Sequence, residues 1–172
     1  MIPNEELERI NKGLLTLNVI WAAMLISLSI YVFVGLYIKD TLRITMEKNV
    51  IDMLRNSLYL VSVITLIATR FIRKLILAGK GINAERSSYQ SDQPRGLAIY
   101  TSAMVVSLAM TESIGIYGLV LFFLGKNEVD LYLFIVISAA TMLFYRPKRD
   151  DIVSLTEELN KQGAADVLQR RR

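Results

Sequence analysis

Long apolar runs separated by short polar breaks set the pattern of this chain. Leu14 to Ile38 is 25 residues without a charge, and Gly96 to Gly125 is 30 residues with a single charge, Glu112. About 20 apolar residues cross a bilayer as a helix, so both runs are long enough. Asn56 to Ala78 is apolar up to Arg70, after which Arg73 and Lys74 follow. Those cations can snorkel to headgroups while Phe71, Ile72, Leu75, Ile76 and Leu77 stay in the interface. Leu131 to Tyr145 is shorter, ~22 Å of helix at 1.5 Å per residue, and spans if Val129 is included and Arg146 snorkels. The pattern predicts helices over about 14–38, 56–78, 96–125 and 129–145.

The breaks have distinct characters. Lys39 to Arg55 mixes charges with Leu42, Ile44, Met46, Val50, Ile51 and Leu54, a spacing that suits either an amphipathic interfacial helix or a solvated connector. Residues 79–95 form a polar loop punctuated by Gly79, Gly81 and Pro94. Residues 126–130 make a tight turn. Pro147 stops the fourth helix, and Ile152, Leu155 and Leu159 then recur at helical spacing. Residues 150–172 therefore read as a cytoplasmic amphipathic tail behind a four-span membrane domain, 1–149, with Arg170 to Arg172 placed to meet anionic lipid.

Charge orients the chain. Eleven Lys and Arg residues flank the spans on the side of the termini and five on the other. The positive-inside rule then puts both termini in the cytoplasm. The first 13 residues carry Glu5, Glu6 and Glu8, and the run behind them exceeds a signal core, so the first span is read as retained. The expected fold class is all-α, an integral membrane four-helix bundle. The expected location is a membrane crossed several times, in a bacterial inner membrane.

Composition narrows the chemistry. There is no Cys and no His among the 172 residues. Thiolate nucleophiles, Cys-ligated metals and the usual haem and zinc ligands are therefore excluded. The net charge of +4 collects between and after the apolar runs rather than forming a nucleic-acid footprint.

Glu112 is the candidate functional residue. An acid in the middle of a span costs at least ~2.5 kcal/mol and usually faces a bundle interior or a hydrated path. Ser107, Thr111, Gly115 and Gly118 make a small-residue stripe beside it, as helix contacts in lipid prefer. If the second and third helices form a hairpin about residue 87, Glu112 lies level with Ser62 and one turn from Thr65. Arg70 is then ~12 Å along the axis from Glu112, too far for a direct bridge. Asn18, Ser27 and Ser29 on the first span read as interhelical hydrogen-bonding groups.

From Gln93 to Leu124 the chain resembles the second helix of the c-subunit of rotary F-type ATP synthases. Gln93-Pro94 precedes Glu112 by that family's spacing, and Glu112-Ser113-Ile114-Gly115-Ile116-Tyr117-Gly118-Leu119-Val120 is similar to its sodium-binding version. The resemblance implies that Glu112, Ser113 and Tyr117 help hold an ion, and that the polar loop faces the cytoplasm.

Two functions follow from these readings. One is a non-enzymatic, c-subunit-like membrane subunit whose Glu112 binds or relays protons or sodium within a larger complex, with Ser113, Tyr117, Ser62 and Thr65 as further ligands. The other is a structural or assembly scaffold in which Glu112 only hydrogen-bonds across helices. Neither needs an organic cofactor or a metal beyond sodium. The expected partners are membrane lipids and either other membrane subunits or further copies of the chain.

Overall fold

The computed structural model describes residues 4–41, 46–78 and 95–170, with side chains over 5–41, 46–78 and 96–161. The polar loop at 79–94, with its Gln93-Pro94 pair and the hairpin turn about residue 87, and the side chains of Arg170 to Arg172 lie outside the described residues. Everything described is helix or short connection. The elements are α1 (Asn4–Ile38), α2 (Lys48–Leu77), α3 (Arg95–Gly125), α4 (Glu128–Phe144) and α5 (Arg149–Arg170).

Among the described residues, two helices, α1 and α3, are long and apolar enough to cross a membrane. A third crossing exists if α4 and the first part of α5, bent by 54° at their break, count as one. Two boundaries differ from the apolar runs. α1 begins at Asn4, ten residues before its apolar stretch, because Glu5, Glu6 and the Glu8–Lys12 pair favour a helical start. α2 begins at Lys48, so the second half of the 39–55 connector belongs to the same helix as the run behind it.

The α3–α4 connection is two residues long. Lys126 takes a left-handed φ of 52°, and its amide donates to Phe122 O at 2.8 Å, ending α3. Asn127 then caps α4 by accepting from Val129 N at 3.1 Å, with Glu128 and Asp130 in the first turn where the helix dipole favours acids.

The helices contribute to two compact units. The first is drawn from Met1–Ile20, Ile72–Val105 and Pro147–Arg172. Its interior is apolar: Ile10, Leu17, Leu97, Tyr100, Met104 and Ile152 are buried. The tail helix is part of it, since a Cβ on Gly96 would meet Thr156 Cα at 2.9 Å. Close approach of α3 and α5 therefore depends on glycine at 96. Arg73 lies over the Tyr100 ring at 5.6 Å, and the Tyr100 hydroxyl accepts from Lys148 N at 3.3 Å.

The second unit comprises Trp21–Phe71 and Val106–Arg146. Ile114, Leu121 and Phe134 form its core, with Leu58, Tyr59 and Tyr117 packed on them. Polar groups are buried here as well, among them Ser62, Thr69, Thr111, Ser138 and Asp130. Gly118 sits where a Cβ would come 2.6 Å from Phe134 Cβ and 3.3 Å from Leu131 O. Gly115 similarly faces Leu28 of α1 and Ile135 of α4. A hydrogen bond joins the same pair of helices, Ser138 Oγ of α4 donating to Thr111 O of α3 at 2.8 Å.

Candidate functional site

Glu112 meets α1. Ser27 and Tyr31 are four residues apart, hence on one face of that helix. Ser27 Oγ donates to Glu112 Oε1 at 2.5 Å, and the Tyr31 hydroxyl donates to the same oxygen at 2.8 Å. Ser27 Oγ also lies 2.7 Å from Met24 O. A serine hydroxyl has one proton and can donate to one of these acceptors at a time. If Oε1 carries a proton, both contacts are satisfied together. Glu112 then donates to Ser27 Oγ, Ser27 donates to Met24 O, and Tyr31 donates to Oε1. No described cation pairs with Glu112. Arg70 is exposed on α2.

Of the five residues grouped by sequence as an ion site, none of the other four is shown bonded to Glu112. Ser113 Oγ donates to Met110 O at 2.7 Å within α3. Tyr117 packs with the Ile114–Leu121–Phe134 core; five residues along a helix turn it ~140° from Glu112. Ser62 Oγ donates to Leu58 O and Thr65 Oγ1 to Val61 O, each at 2.8 Å within α2. The stripe residues Ser107, Thr111, Gly115 and Gly118 are all buried, and Thr111 Oγ1 donates to Ser107 O at 2.8 Å. On α1, Asn18 bonds its own helix at Leu14 O, whereas Ser27 does reach across. Tyr31 escaped sequence reading because an aromatic in an apolar run reads as packing. Its i,i+4 relation to Ser27 was the available signal.

A second polar cluster was hidden by its assignment to connectors. Asp130, 5% exposed, accepts from Arg55 Nε at 2.8 Å and from the Tyr59 hydroxyl at 2.9 Å. Arg55 also bonds Asp52 at 3.1 Å. Tyr59 packs its ring against Phe134 at 4.7 Å between centroids, tilted by 36°, so its body packs while its hydroxyl serves the acid. Arg55, Tyr59 and Ser62 recur at helical spacing on α2, which was the signal for it. Lys39 and Glu128 pair at the same end of this unit. Hydrogen bonding to Glu128 and its charge hold the Lys39 ammonium above the usual lysine value.

Trp21 closes the other end of α4. Its indole Nε1 donates to Met142 O at 2.8 Å, satisfying one of the last helical carbonyls. Arg146 lies over the same ring at 5.7 Å.

No family model, curated protein or solved structure matches this chain.

Proposed function

We propose that this chain is a non-enzymatic, multi-pass subunit of a membrane complex, and that Glu112 is its proton-binding group. The observation that carries the reading is the Ser27–Glu112–Tyr31 contact within a stretch that holds no other charge. Its hydrogen-bond inventory closes with one added proton. Sodium needs several oxygens, and among the described residues the hydroxyls shown meeting Glu112 are those of Ser27 and Tyr31. The likeness to rotary c-subunits then extends to a half-buried proton-carrying acid rather than to a sodium cage.

Four crossings belong to this proposal, with both termini in the cytoplasm of a bacterial cell. For α2 the support is its inverted pattern: Ser62 and Thr69 are buried while Leu60, Ile64 and Ile67 are exposed. A helix that turns its polar groups inward and its apolar ones outward suits a lipid surround.

A second reading has its own observation. Both donors to Glu112 come from α1, so the residue also ties α1 to α3 as a structural brace. A membrane-soluble carbodiimide, which attacks protonated carboxyls in apolar surroundings, tests whether Glu112 takes up a proton at all. The proton reading expects labelling of Glu112 that speeds up as pH falls and is unaffected by sodium. A folded protein whose Glu112 stays unlabelled at every pH leaves the brace alone.

A further inference from the structure

Exposed apolar side chains are distributed very unevenly between the two units. Among the described residues, all the large exposed hydrophobics except Leu15, Val19, Leu75 and Val105 belong to the unit formed by Trp21–Phe71 and Val106–Arg146. That unit buries Ser62, Thr69, Thr111, Ser138 and Asp130 and exposes residues such as Phe33 (69%), Ile67 (67%) and Val136 (62%). The other unit has the opposite pattern. It buries Ile10, Leu17, Leu97, Tyr100 and Met104 and exposes Glu5, Glu8, Lys12, Asp150, Asp151 and Glu158. The first arrangement is stable against hydrocarbon and the second against water.

Segment lengths agree with this division. Within the first unit, Trp21–Ile38 is ~27 Å of helix, Val106–Gly125 is ~30 Å and α4 is ~25 Å, each close to a ~30 Å hydrocarbon core. The uncharged part of α2, Asn56 to Thr69, is ~21 Å, with Arg55 and Arg70 at its ends. The edges carry the residues an interface prefers. Trp21 and Arg146 mark one, and Lys39–Glu128 with Arg55–Asp130 mark the other.

We infer that lipid acyl chains cover the Trp21–Phe71 and Val106–Arg146 unit alone. The outer parts of the two longest apolar runs, residues 14–20 and 96–105, stand in water with α5. Both runs exceed the bilayer because their excess is a solvated helical unit. This rests on the reading of the chain as membrane-embedded, but not on any role for Glu112. It also moves that residue off centre. Glu112 is six residues from Val106 and thirteen from Gly125, or ~9 Å from one edge of the layer and ~20 Å from the other.

Spin labelling of the full chain in phospholipid vesicles tests this, since no native Cys interferes. Single cysteines at exposed Thr16, Ser102, Ile30 and Val136 are labelled, and their collision rates with oxygen and with a water-soluble nickel chelate are compared. Retained Trp21 emission checks that each variant is folded, and resistance to carbonate extraction checks insertion. Labels at Ile30 and Val136 are expected to favour oxygen, and those at Thr16 and Ser102 to favour the nickel chelate. Oxygen preference at Thr16 and Ser102 overturns the inference, because the layer then covers the full apolar runs. Shielding of Ile30 and Val136 from both reagents also overturns it, because protein rather than lipid then covers that face.

Discussion

Tyr31 and Glu112 are 81 positions apart in the chain, and the phenol donates to the acid's Oε1 at 2.8 Å. Ser27, one turn earlier on α1, reaches the same oxygen at 2.5 Å. One carboxyl oxygen thus receives both contacts from one neighbouring helix.

Tyr31→Phe and Ser27→Ala each remove one of these contacts, and each should lower stability in mild detergent by about 1 kcal/mol, within the range measured for hydrogen bonds between membrane helices. Glu112→Gln should be milder, since its side-chain carbonyl can take the place of Oε1 and accept from both Ser27 and Tyr31. It should also abolish carbodiimide labelling. Unfolding midpoints of the three variants check the order, and a Gln variant less stable than the Tyr31→Phe chain would contradict it.

Asp130 is the acceptor for both Arg55 and Tyr59, so Asp130→Ala should be among the costliest single changes. Removing one partner of a buried pair costs about 3–5 kcal/mol, and partial exposure of Arg55 places this case at or below the lower figure. Arg55→Ala combined with Asp130→Ala should cost less than the two single effects together. Additivity in such a double-mutant cycle would mean the pair does not interact in the folded protein.

Two glycines should respond differently to the same methyl group. At Gly118 an added Cβ meets Phe134 Cβ and Leu131 O, atoms held by the α4 backbone. Gly118→Ala should therefore force α3 and α4 apart and cost about 1–3 kcal/mol. At Gly13 the methyl meets the end of the Leu97 side chain, and a gain in helix propensity of up to about 1 kcal/mol offsets the crowding. Gly13→Ala should be near neutral in the same unfolding assay.

Trp21 is the single tryptophan of the chain. Its emission should be quenched more strongly by lipids labelled near the headgroup than by lipids labelled deep in the acyl chain. Trp21→Phe removes the donor to Met142 O and should speed amide exchange at the last turn of α4. Deep quenching would place Trp21 inside the layer rather than at its edge.

The sequence by itself determined that the chain is helical and that α1 and α3 are apolar enough to cross a membrane. It also singled out Glu112, because a lone acid in thirty residues is costly wherever it lies. These are properties of composition and period, which need no knowledge of neighbours. Which groups meet Glu112 was a matter of helix rotation and of which helix packs beside it. Ser113 is adjacent in sequence yet turned by ~100°, whereas Ser27 and Tyr31 reach it from another helix. Asp130 and Arg55 looked like connector charges because burial cannot be read from charge alone. Tertiary structure likewise decided how much of each apolar run faces outward, since a run buried under α5 and one facing lipid have the same composition and differ only in what packs against them.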